Sequence, residues 1–204
     1  MIDWNITDAA IWRKRTSHLR AVKNLDPIRL SQLVGLEPQV RQLRHNTERF
    51  LASQRANNAL LWGARGTGKS SLIKAILNEY STQGLRMVQI DKEDLLDLAE
   101  IVDELREQPF RYIIFCDDLS FESGEYGYKA LKSVLEGSIE LPPENLLIYA
   151  TSNRRHLVPE LGQDNLDSKV IDGELHYNDA IEERISLSDR FGLWLSFHPI
   201  DLRS

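Results

Sequence analysis

The octapeptide Gly63-Ala64-Arg65-Gly66-Thr67-Gly68-Lys69-Ser70 fits the pattern G-x-x-x-x-G-K-[ST]. Each residue type in it has a physical reason. Glycines let the backbone curl around phosphate oxygens with its N–H groups turned inward. A lysine at position 69 supplies positive charge for the β- and γ-phosphates, and a hydroxyl at position 70 suits Mg²⁺. A helix beginning here would also present the positive end of its dipole to the anion. With glycine at about 7% of residues, such a match arises by chance in under roughly one in a hundred chains of this length. Gly63, Ala64, Arg65, Gly66, Thr67, Gly68, Lys69, Ser70 and the following Ser71 are therefore the candidate contacts for ATP or ADP.

The flanks agree with this reading. An apolar run at 59–62 precedes the loop, and a stretch at 69–80 follows it with Leu72, Ile73, Ile76 and Leu77 at helical spacing. Further apolar runs at 86–90, 111–116, 145–150 and 193–197 read as strands, apolar on nearly every position as in parallel sheets covered on both faces. Helical patterns at 93–107 and 128–136 alternate with them. The expectation is a three-layer α/β fold, a five-stranded parallel sheet flanked by helices. Residues 31–204 would form this nucleotide-binding core, and residues 1–30 a basic helical arm. A polar stretch at 154–187 shows no periodicity.

Composition narrows the classes. The chain has 204 residues and a net charge of −6, which argues against a surface coated for nucleic acid. Its one cysteine, Cys116, excludes a disulfide framework and points to a reducing, cytoplasmic setting. No apolar run approaches the roughly 20 residues needed to span a bilayer, so no membrane partner is expected. The five histidines show no metal-ligand spacing.

The strand at 111–116 ends in Asp117 and Asp118. Asp117 is placed to hold Mg²⁺ opposite Ser70, and Asp118 to orient an attacking water. Glu122, with a longer side chain, is the reserve for that second role. The run Thr151-Ser152-Asn153 ends the next strand, and Asn153 there either meets the γ-phosphate and water or satisfies a loop backbone. Arg190, beside a Phe–Gly turn, reads by itself as a surface ion pair.

The stretches LLWGARGTGKSS, FCDDLSFE, YATSNRRHL and LSDRFGLWLSF, in this order and spacing, resemble the AAA+ ATPases of the P-loop NTPase superfamily. More closely they resemble an uncharacterised bacterial family of predicted AAA+ ATPases, with likeness to the replication initiator and helicase-loader branch. The resemblance is strongest over 33–197. It implies that 63–70 is Walker A, that Asp117 and Asp118 are the Walker B acids, and that Asn153 is the first sensor. It implies that Arg190 is an arginine finger for a neighbouring subunit, hence a homo-oligomer when the lid is present. It makes Leu33 and Val34, beside Gly35, contacts to adenine. The superfamily pattern continues with a helical lid. Here the sequence ends at Ser204, so a lidless core with weak hydrolysis is expected.

Residues 12–23 concentrate positive charge. They read as an amphipathic helix from about Thr7, docking Ile11, Leu19 and Val22, with a nucleic-acid contact as the alternative. The leading functional expectation is Mg²⁺-dependent ATP hydrolysis coupled to remodelling or loading of a protein or nucleic-acid client. A nucleotide-gated binding module with little turnover is the alternative, and a small-molecule kinase ranks behind both.

Overall fold

A computed structural model describes residues 2–120, 127–137, 139–153, 187 and 189–199. Among these, seven strands form one sheet: β1 (Ala9–Arg13), β2 (His18–Ala21), β3 (Ala59–Gly63), β4 (Leu85–Ile90), β5 (Arg111–Cys116), β6 (Leu146–Ser152) and β7 (Leu193–Phe197). Their spatial order is β2-β1-β4-β5-β6-β3-β7. All neighbours run parallel except the β1–β2 pair. Four helices cover the sheet: α1 (Glu37–Leu51), α2 (Lys69–Tyr80), α3 (Leu98–Arg106) and α4 (Gly127–Glu136).

The two-residue period of a strand builds the layers. Along β5, Tyr112, Ile114 and Cys116 join Leu98, Ile101, Leu105 and Leu131 of α3 and α4. Ile113 and Phe115 point the other way, into Leu43, Phe50, Leu72, Ile73 and Ile76 of α1 and α2. Both faces of β5 are thus buried, which is why its sequence is apolar from Tyr112 to Cys116.

Three expectations are corrected. The sheet has seven described strands rather than five. The basic helical arm is instead the β1–β2 hairpin, closed by a 3-10 turn at Lys14–Thr16 and by Ser17 at φ 45°. Leu19 joins the core on the α3 side and Val22 packs on the α2 side, opposite faces that one helical stripe could not reach. Trp12 donates from Nε1 to Asp97 (3.0 Å), and Trp4 meets Tyr112 edge-on at 5.0 Å. The buried Arg86 secures the segment, donating to the carbonyls of Trp4 (2.9 Å), Ser81 (2.8 Å) and Leu85 (2.8 Å). Finally, 93–107 is not one helix, because a 3-10 segment, Lys92–Asp97, precedes α3. The polar stretch at 154–187 lies, apart from Leu187, outside the described residues, as do residues 200–204.

Candidate functional site

In the order β5-β6-β3, strand β6 separates the strand that leads into the glycine loop from the strand that ends in the two aspartates. All three run parallel, so their carboxyl ends open onto one cleft of about 280 Å³. It is lined by the loop from Arg65 to Ser71 and by Asp117, Asp118, Thr151 and Asn153.

Two glycines in the loop are required by geometry. Gly63 lies at φ 139°, and a Cβ there would sit 2.0 Å from the Phe197 carbonyl oxygen at the end of β7. Gly68, at φ 93°, leads directly into α2, and a Cβ would press on Leu36 at 2.7 Å. A side chain at position 63 would force the loop away from the end of β7, and one at position 68 would be strained by its positive φ.

The polar groups of the cleft form one network. The Lys69 ammonium donates to the carbonyls of Gly63 and Ala64 (2.7 Å each) and to the Asn153 amide oxygen (3.3 Å), which uses all three of its donors. The other end of that amide donates to Asp118 at 2.6 Å. Asn153 therefore links the lysine to the acid, as its place on the intervening strand requires. Ser70 and Thr151 both donate to Oδ1 of Asp117 (2.6 Å each), and Oδ2 has no protein donor among the described residues. Arg65 reaches Asp118 at 3.4 Å, an exposed pair of modest worth. Burial holds the Lys69 ammonium below the usual lysine range, with the charges of Asp118 and Asp117 opposing that shift.

The structure thus brings Gly63–Ser70, Asp117, Asp118 and Asn153 together. Thr151 belongs with them and is absent from the sequence-based expectations. Its buried hydroxyl also accepts the Asp118 backbone N–H at 2.8 Å, fixing both acids, with Asp118 at φ 53°. Its only sequence signal is a hydroxyl two residues before Asn153, which reads equally well as an ordinary strand residue.

Leu33 and Val34 do not line this cleft, and Val34 is 76% exposed. Glu122 lies outside the described residues. Arg190 precedes the start of β7 and so lies toward the opposite end of the sheet, where its Nε contacts Glu136 of α4 at 2.8 Å.

The donor set fits Mg²⁺. Ser70, Asp117 and Asp118 offer hard oxygen ligands, which this ion takes. No cluster of three or more His, Cys, Asp or Glu residues stands ready for a metal among the described residues. An ion here would therefore share its shell with phosphate oxygens, as Mg²⁺ commonly does.

The model of a family described as "Protein of unknown function (DUF815)" matches residues 5–204. No curated protein matches the chain at a significant level. Among solved structures, DnaI is similar at 18% identity over 98% of each chain, with a TM-score of 0.55. The Aeropyrum pernix Orc1 protein in complex with DNA is similar at 17% identity and a TM-score of 0.54, over 81% of this chain and 45% of that one. A proline-to-glycine mutant of Thermotoga maritima RuvB gives 16% identity and a TM-score of 0.54, over 85% and 50%. The chain thus spans about half the length of the Orc1 and RuvB chains. At these identities the likeness establishes the fold, a mostly parallel α/β sheet of the AAA+ P-loop type.

Proposed function

The chain belongs to the DUF815 family of proteins of unknown function, and from that premise we propose that it is an AAA+ ATPase that binds Mg-ATP and couples its hydrolysis to remodelling or loading of a protein or nucleic-acid client. One observation carries this reading: the network in which Lys69, Asn153 and Asp118 are joined beside the Ser70–Asp117–Thr151 triad, under a loop of glycines.

In this reading the loop is the Walker A motif. Its N–H groups and Lys69 hold the β- and γ-phosphates, the lysine exchanging loop carbonyls for phosphate oxygens. Mg²⁺, held by Ser70 and Asp117, would offset charge on the phosphates. Asp118 accepts a hydrogen bond from the attacking water, and Asn153 bridges that water and the γ-phosphate. Attack forms the new phosphorus–oxygen bond and breaks the bond to the ADP oxygen, releasing inorganic phosphate. Arg190, distant from its own cleft, acts as an arginine finger in the cleft of a second copy. Leu33 and Val34 would contact adenine in the loaded state, and the protein would work in the cytoplasm.

Phosphate release from Mg-ATP per protomer, followed across protein concentration, tests the proposal. The rate should climb with concentration, vanish in Lys69→Ala, and fall at least tenfold in Arg190→Ala with ATP binding intact. A rate that persists in Lys69→Ala would refute it. A specific observation favours the second reading, a nucleotide-gated binding module: Asp118 is already engaged by Asn153 and Arg65. ATP binding that depends on Lys69 without any turnover would select that reading.

A further inference from the structure

The end of the sheet opposite the aspartates carries a second polar concavity. The helix α1 and the amino ends of β3 and β7 frame an open groove lined by Gln42, His45, Asn46, Arg49, Arg55 and Asn57. Among the described residues no carboxylate lines it, in a chain whose net charge is −6.

The cations in this groove differ from their neighbours in how they are satisfied. Arg44, on the same helix, is paired with Glu48 and Glu79. Arg49 donates only from Nε, to the Arg55 carbonyl at 2.8 Å, which steadies its guanidinium and leaves both terminal nitrogens unused among the described residues. The Arg55 and His45 side chains are exposed and form no ion pair among the described residues. His45 and Arg49 lie four residues apart, so they stack along one helix face at about 6 Å of rise. Arg55 extends the row, since it also lines the neighbouring depression that holds Arg111.

We propose that this groove binds the phosphodiester backbone of a single-stranded nucleic acid. Unpaired guanidinium forks suit phosphate oxygens, and the amides of Gln42 and Asn57 add neutral donors. A row of cations along a groove follows an extended polyanion better than a compact one. Among the described residues that line the groove none is aromatic, so the contacts they offer are to the backbone, and such contacts carry no sequence information. The proposal does not depend on ATP hydrolysis, because among the described residues the groove shares none with the phosphate cleft.

The test uses the 204-residue chain and a fluorescein-labelled 20-nucleotide oligothymidine, followed by anisotropy between 50 and 200 mM salt. Binding should weaken as salt rises. The pair Arg49→Gln and Arg55→Gln together should weaken it at least tenfold and lower the logarithmic salt slope by about 1.4, at about 0.7 for each phosphate contact on a single strand. Arg44→Gln, on the same helix, should leave it unchanged. Arg55→Gln alone alters an exposed side chain, and a several-fold loss in that variant keeps the result separate from any folding defect. No binding at 50 mM salt, binding that the double variant retains, or an equal loss in Arg44→Gln would each overturn the proposal. So would equal competition by poly-glutamate, which would assign the groove to an acidic protein.

Discussion

Replacing Thr151 by valine removes one hydroxyl and keeps the shape of the side chain. In the native protein that hydroxyl donates to Asp117 at 2.6 Å and accepts the Asp118 N–H at 2.8 Å, at a position 2% exposed. Valine strands the N–H, at a cost of about 1–3 kcal/mol, and removes a charge-assisted bond worth about 1.5–3 kcal/mol. Asp117 keeps Ser70 and is within reach of water, so the second figure is partly recovered and the net loss is about 2–3 kcal/mol. For a chain of this size each kcal/mol moves the melting temperature by about 2–4 °C. Thr151→Val should therefore melt roughly 4–12 °C lower by circular dichroism, and its ATP affinity should gain less from added Mg²⁺. Thr151→Ser restores the hydroxyl and gives up one methyl, at about 1 kcal/mol. A valine variant that melts with the wild type and keeps its Mg²⁺ response, or a serine variant as impaired as valine, would refute the argument.

Three further outcomes follow from the geometry. Gly63→Ala sets a Cβ against the Phe197 carbonyl at a positive φ, and should cost at least about 2 kcal/mol in urea unfolding together with most nucleotide affinity. Arg86→Leu leaves three backbone carbonyls without their donor and Asp8 without its partner, 3.3 Å away. A loss of about 3 kcal/mol is expected, seen as a melting temperature roughly 6–12 °C lower and faster proteolysis ahead of residue 22. Burial pushes the Cys116 thiol up to about 12 from 9.0, and the Tyr149 phenol up to about 12 from 10.0. Below pH 9 both groups are protonated in either state. Above it the unfolded chain releases protons that the folded chain keeps, so stability falls as pH rises, by up to about 1.4 kcal/mol per unit, from about pH 9 to 12 for Cys116 and from about pH 10 to 12 for Tyr149. Urea midpoints between pH 9 and 10 should fall less steeply in Cys116→Ala.

What was legible in the sequence follows physical lines. Strands β3 to β7 announce themselves because most of their positions are apolar. Strands β1 and β2 do not, because they are short and carry Arg13, His18 and Arg20, and because Ile11, Leu19 and Val22 also satisfy a helical spacing. Helix α1 carries a weak sequence signal for another reason: two of its core-facing residues, Asn46 and Thr47, are polar. They are buried because Thr47 returns its proton to the Leu43 carbonyl and accepts one from the Tyr149 hydroxyl, which Asn46 in turn hydrogen-bonds. Such pairing links positions about a hundred residues apart, and no local pattern reports it. In the cleft, the charged and glycine positions were readable because few other residues can serve there. Thr151 was not, since its role depends on which strand lies between which.

The hairpin at the start of the chain also sets a timetable. Ala10 of β1 pairs with Val88 of β4, and Arg86 supplies the donors that hold Trp4. On a ribosome adding about 5–20 residues per second, the partner strand is made roughly 4–15 s after β1. A hairpin closes in microseconds. For those seconds Trp4 and Trp12 are synthesised but have no sheet to enter, which makes the first segment made an early client for chaperones.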